Sequence, residues 1–169
     1  PPEIRAIMAE ELAKESMDLY AYTPSQGIVE LREAVSEDLK RLGSLDVKPD
    51  DIVIVAGGQE AMFATLMTIL NPGDEVILMD PTYFGYKPLI EYFGARIKRL
   101  RLSMDDGFRI NVDALKELIS SRTKAIILVS PDNPTGSIIS EDIAKALADL
   151  ARDKDFWIIS DEAYRTLIY

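Results

Sequence analysis

Four short segments of this 169-residue chain hold residue types able to do chemistry together. They are Gly57-Gly58-Gln59, Pro81-Thr82-Tyr83, Ser130-Pro-Asp-Asn-Pro-Thr-Gly136 and Ser160-Asp-Glu-Ala-Tyr164. Paired glycines ahead of a helix leave backbone N–H groups at the positive end of its dipole, a cradle for phosphate worth about 0.3–2 kcal/mol from the dipole alone. The same pair also suits a plain strand-to-helix turn. Glu60 in the first turn suits the dipole but does not favour an anion, and no Lys-Ser or Lys-Thr follows as a Walker loop requires. Tyr83 could stack on a planar ring, a contact worth about 0.5–1.5 kcal/mol beyond burial, or be an ordinary half-buried aromatic near a strand end. Asn133 offers a donor and an acceptor for a hydroxyl or phenolate, although its neighbours are also turn formers. Asp161 is the sharpest residue, because a carboxylate at the end of a buried strand must find a partner. It could serve as a helix N-cap, or make a salt-bridged hydrogen bond to a protonated ring nitrogen, worth about 1.5–3 kcal/mol. Tyr164 lies beside it if a helical turn begins there.

Composition removes most other chemistry. The chain has no Cys and no His, which excludes disulfides, thiolate nucleophiles, Cys- or His-based metal sites and a Ser-His-Asp triad. Catalysis must use carboxylates, Lys, Tyr or a borrowed cofactor. Nineteen basic against twenty-nine acidic residues give a net charge of −10, a field that repels nucleic acid and anionic membrane surfaces. No apolar run approaches the ~20 residues of a membrane span. No export leader opens the sequence, so a cytoplasmic location is expected.

The elements that must position these residues are legible from periodicity. Two helical patterns open the chain: one carries Ile4, Ile7, Met8, Leu12 and Met17, the other Ile28, Leu31, Val35, Leu39 and Leu42, with Gly43 closing it. Pro24 and Gly27 mark the loop between them. From residue 50 the rhythm changes to short β-branched runs alternating with helices. Strands are expected at Ile52–Val55, Glu75–Met79, Arg96–Leu102, Ala125–Val129 and Phe156–Ile159. Helices are expected near Gln59–Leu70, Tyr86–Phe93, Val112–Ile119 and Ser140–Arg152, with Ser140 as N-cap. Five apolar strands alternating with helices indicate an α/β fold, a mostly parallel sheet with helices on both faces. We divide the chain into an N-terminal helical segment, residues 1–45, and a sheet-bearing part, residues 46–169. In such a sheet ligands sit beyond the carboxyl ends of the strands, where four of these five strands lead into the chemically unusual segments. The sequence stops just after a strand, with no closing helix, and is expected to be truncated.

Taken in order, Tyr22-Thr-Pro-Ser-Gln-Gly27 with Leu31-Arg32, Gly57-Gly58-Gln-Glu-Ala61, Asn71-Pro-Gly-Asp74, Pro81-Thr-Tyr83, Asn133-Pro-Thr-Gly136 and Ser160-Asp-Glu-Ala-Tyr164 resemble class I aminotransferases. These are enzymes of fold type I that depend on pyridoxal 5′-phosphate (PLP), and the resemblance covers most of their cofactor-binding large domain. It implies that Gly58 and Gln59 bind the PLP phosphate and that Tyr83 stacks on the pyridine ring. Asn133 and Tyr164 would then hydrogen-bond the ring's 3-oxygen, and Asp161 would keep the ring nitrogen protonated. It further implies that Tyr22 reaches the phosphate of a neighbouring subunit in a homodimer. The implied reaction moves an amino group from an amino acid to a 2-oxo acid.

The resemblance also places the Schiff-base lysine beyond Tyr169, because none of the nine lysines has the family's context. No catalytic residue is therefore assigned within this chain, which by itself is expected to be inactive. In the family, two later strands insert beside the first, which would leave Ile52–Val55 without a neighbour. Rival readings are a PLP-dependent lyase or synthase of the same fold, the effector-binding domain of an aminotransferase-like transcription regulator, and an α/β domain without cofactor.

Overall fold

The computed structural model describes residues 1–43 and 45–168, with Asp18 described by its backbone alone; Ser44 and Tyr169 lie outside the described residues. Two compact units are present, residues 1–55 and 56–169.

The first unit is helical. Helix α1 spans Pro2–Leu12 and α2 spans Val29–Gly43. The expected pattern through Met17 breaks at Leu12, and Met17 falls in a separate 3-10 turn, Met17–Tyr20. No α1 side chain is buried, so tertiary packing does not prolong the helix. The anchor of the unit is Arg32, which is 6% exposed. Its guanidinium donates to the Gly27 and Pro49 carbonyls and to Asp50 Oδ1, at 3.3, 2.7 and 3.1 Å. A buried cation is thereby satisfied mostly by backbone, and it ties the start of α2 to the 3-10 turn at Pro49–Asp51. Gly27 has φ +93°, and a Cβ there would lie 2.6 Å from Ile54; both facts require glycine.

Ile52–Val55 departs from expectation. It forms no strand, and among the described residues four strands stand where five were expected. A strand exists only through its ladder, and this run has none: the Ile54 N–H donates instead to the Gln26 carbonyl at 2.9 Å.

The second unit is the sheet. Its strands are β1 (Glu75–Asp80), β2 (Arg96–Arg101), β3 (Thr123–Val129) and β4 (Trp157–Asp161), parallel throughout, in the order β2-β1-β3-β4. Helix α3 (Gly58–Ile69) precedes β1, and α4 (Tyr86–Tyr92), α5 (Val112–Leu118) and α6 (Glu141–Lys154) make the three crossovers. Alternation along the strands sorts side chains between two cores. Val76, Leu78, Ala125, Ile127 and Val129 pack with Met62 and Leu66 of α3 and with Tyr86 and Ile90 of α4. Ile77, Met79, Ile126 and Leu128 pack with Leu115 of α5 and Leu147 of α6. The expectation of helices on both faces is thus met, and central strands buried on both sides account for the unbroken apolar runs.

Caps differ from helix to helix. The Asn111 side chain accepts from the Asp113 and Ala114 N–H groups at the start of α5. Ser140 stands at the N-cap of α6 with extended backbone, yet its hydroxyl makes no capping bond. There Glu141 and Asp142 supply the negative charge that suits the helix start. No helix among the described residues is long and apolar enough to cross a membrane.

Candidate functional site

The strand order reverses direction between β1 and β3, since β1 crosses to β2 on one side and β2 returns past it to β3. That junction is where an open α/β sheet binds ligands. A cleft of about 260 Å³ lies there, lined by Gly58, Gln59, Tyr83, Asn133, Asp161 and Tyr164 together with Tyr86, Val129 and Ala163. Six positions singled out in the sequence are therefore brought to one cavity. Tyr22 is not among them; it belongs to the first unit, is fully exposed, and borders a hollow with Thr23, Pro24 and Glu30. A larger hollow of about 520 Å³ lies against Met79, Leu102, Leu128 and Ile143 on the α5–α6 side of the sheet. It gathers none of those six positions.

Each residue reaches the cleft for a local reason. Gly57 is the N-cap of α3, with φ +112° and ψ 169°, a conformation essentially reserved for glycine. It turns the chain into α3 so that Gly58 and Gln59 supply the first-turn N–H groups, which have no intrahelical acceptor. A Cβ on Gly58 would meet no protein atom within 4 Å, so the space beside it is open for a ligand. The Glu60 carboxylate turns back to accept the Ala56 N–H.

Asn133 had two readings, and the structure divides them between neighbours. Turn chemistry falls to Asp132, whose carboxylate accepts from the Thr135 hydroxyl at 2.6 Å and the Thr135 N–H at 3.2 Å. The Asn133 amide is left for the cleft, where it donates to the Tyr164 hydroxyl at 3.1 Å. Asp161 likewise does two things. Register pairs it with Val129 at the carboxyl end of the sheet, and Oδ1 accepts the Ala163 N–H at 3.0 Å in the turn that follows. Residues 163–166 form a turn rather than a helix, and Tyr164 lines the cleft from it.

Sequence reading passed over Tyr86. It is 2% exposed, its hydroxyl donates to Asp161 Oδ2 at 2.6 Å, and its ring meets the Tyr83 ring edge-on at 5.3 Å. Burial above all, and then the hydrogen bond and charge of Asp161, push its hydroxyl well above the usual tyrosine range. The signal that could have found it is Tyr-x-x-Tyr, with the second Tyr opening a helix just past a strand end.

The electrostatics are simple. One carboxylate, Asp161, is the only charged side chain lining the cleft among the described residues, and the positive end of α3 supplies the opposite sign. Such a cleft fits a small planar molecule with a protonated nitrogen at one end and an anion at the other. No group of three or more His, Cys, Asp or Glu residues able to hold a metal ion occurs among the described residues.

Comparison with known proteins gives a consistent answer. A sequence model of the family described as aminotransferase class I and II matches residues 2–169. The aspartate/prephenate aminotransferase of Thermus thermophilus is 37% identical over 148 residues, and the probable aspartate aminotransferase of Methanocaldococcus jannaschii is 40% identical over 161. These alignments take in 88% and 94% of this chain but only 38% and 42% of those proteins. Among solved structures, N-succinyldiaminopimelate aminotransferase of Mycobacterium tuberculosis superposes with a TM-score of 0.89 at 31% identity, covering 96% of this chain and 42% of that one.

Proposed function

Because this chain belongs to the class I and II aminotransferases, we propose that its cleft holds pyridoxal 5′-phosphate and that the protein moves amino groups between amino acids and 2-oxo acids. The observation that carries this reading is a single cleft in which Asp161 and the first turn of α3 supply opposite charge, with Tyr83 beside them. When bound, PLP supplies an electron sink for the bonds at the amino-acid α-carbon.

The chain's own residues bind and orient. Gly58 and Gln59 would hold the phosphate through backbone N–H groups, Tyr83 would stack on the ring, and Asn133 and Tyr164 would hydrogen-bond the 3-oxygen. Asp161 keeps a proton on the ring nitrogen, which strengthens the electron sink. None of the nine lysines lines the cleft, so the reading assigns the Schiff-base lysine and the movement of the α-proton to a residue outside 1–169. Tyr22, exposed on the first unit, would reach the phosphate of a second copy in a homodimer. Residues 1–45 would serve as the helical lead and 46–169 as part of the cofactor-binding domain. A cytoplasmic setting is part of this reading.

The test is titration of the full-length protein with PLP, followed by product analysis with several amino acids and 2-oxoglutarate. Keto acid formed in step with a new amino acid means transamination. Keto acid or other products without a matching new amino acid would indicate a lyase or synthase. Asp161→Ala is expected to weaken PLP binding about tenfold or more, from loss of a charge-assisted hydrogen bond.

A further inference from the structure

We propose that Tyr86 is a positioning residue for Asp161, fixing the carboxylate in the orientation that meets the cofactor's ring nitrogen. This rests on the PLP reading given above. Among the described residues each carboxylate oxygen has one donor: Oδ2 takes the Tyr86 hydroxyl at 2.6 Å and Oδ1 takes the Ala163 N–H at 3.0 Å. Two donors on two oxygens set the plane of the group. A carboxylate has about four acceptor sites, so capacity remains for a donor within the cleft.

Tyr86 is itself immobilised. It opens α4, is almost fully buried, and meets the edge of the Tyr83 ring. The backbone before it is pinned as well, because a Cβ on Gly85 would come closer than 3.0 Å to the Tyr83 ring and the Gln59 amide. The choice of tyrosine has a chemical consequence. A Lys or Arg at this place would neutralise Asp161 and weaken its hold on a protonated nitrogen. A buried hydroxyl donates while leaving the full negative charge in place. Burial first, then Asp161, and after it Asp132 and Tyr83, hold that hydroxyl in its neutral form.

Tyr86→Phe removes the hydroxyl and keeps the ring. In the full-length protein, dissociation constants are measured by absorbance titration for PLP and for its carbocyclic analogue, in which carbon replaces the ring nitrogen. Tyr86→Phe is expected to weaken PLP about tenfold and the analogue less than about twofold. In an Asp161→Ala background, the second substitution is expected to add less than about twofold for either ligand. Replacing Tyr86 with 3-fluorotyrosine, a more acidic donor of nearly the same shape, keeps the test available if Tyr86→Phe does not fold. It is expected to change PLP affinity and leave the analogue's unchanged. Equal weakening of both ligands, or no effect on either, overturns the role assigned to Tyr86. Failure of the unsubstituted protein to bind PLP is a separate result that removes the cofactor reading beneath it.

Discussion

Gly57 and Gly58 stand side by side, yet alanine should act on them in opposite ways. Gly58 opens α3 with ordinary helical backbone, and an added Cβ there meets no protein atom within 4 Å. Gly58→Ala should therefore leave folding stability within about 0.5 kcal/mol, with any gain below the roughly 1 kcal/mol that alanine has over glycine in a helix interior. The methyl would stand at the wall of the cleft, between the first-turn N–H groups and an incoming phosphate. Losing one hydrogen bond to a charged acceptor costs about 1.5–3 kcal/mol, and pushing the anion outward forfeits part of the 0.3–2 kcal/mol dipole contribution. At about 1.4 kcal/mol per decade, PLP should bind about tenfold to several hundredfold more weakly. Gly57→Ala meets no neighbour either, but it forces alanine to φ +112° at a strain of about 1–3 kcal/mol. Urea unfolding of the ligand-free protein and PLP titration, run on both variants, separate the two effects. A folded Gly58→Ala protein that binds PLP as tightly as its parent would refute the assignment of this turn to the phosphate.

Three further outcomes follow from the geometry. Gly85→Ala, at φ −69° where alanine is unstrained, should displace Tyr83 and Gln59, destabilise by about 1–3 kcal/mol through overpacking, and weaken PLP; thermal unfolding and titration measure both. Asn111→Ala removes the acceptor for two N–H groups at the start of α5 and should cost about 1 kcal/mol by denaturant unfolding. Glu75 is held below the ordinary carboxylate value, chiefly by the Ser120 hydroxyl at 2.5 Å and then by Lys98 against the opposing effect of burial. A carboxyl whose folded value is depressed adds stability above its unfolded value near 4.3 and loses it as pH falls through the folded value. Ser120→Ala should thus be most destabilising at neutral pH, with the difference from the parent shrinking below about pH 4; a difference that grows toward acid would contradict the assignment.

The sheet strands and their crossover helices could be read from the chain because burial on both faces leaves uninterrupted apolar runs, such as Ala125–Val129, between turn residues. Ile52–Val55 looks the same by composition and is not a strand, since β-branched residues favour extension but only a partner makes a ladder. Asp161 could be found because a charge ending a buried strand has few explanations. Tyr86 leaves only the weak Tyr-x-x-Tyr signal, because a tyrosine among Ile90, Leu89 and Phe93 reads as core until its hydroxyl is seen on Asp161. Asn133 was ambiguous for a different reason: Asp132 and Asn133 are both turn formers, and sequence does not say which side chain folds back and which stays out.

The outer margins of the sheet are chemically unlike. On β2 four of six residues, Arg96, Lys98, Arg99 and Arg101, are basic, and cationic side chains along a free margin discourage further main-chain pairing. The other margin, Trp157-Ile-Ile-Ser-Asp161, carries no positive charge, and its Trp157 is 60% exposed. A strand added on the Trp157 side would meet no such repulsion and would run alongside Asp161. Extending the sheet there would also wall in the cleft that Asp161 lines.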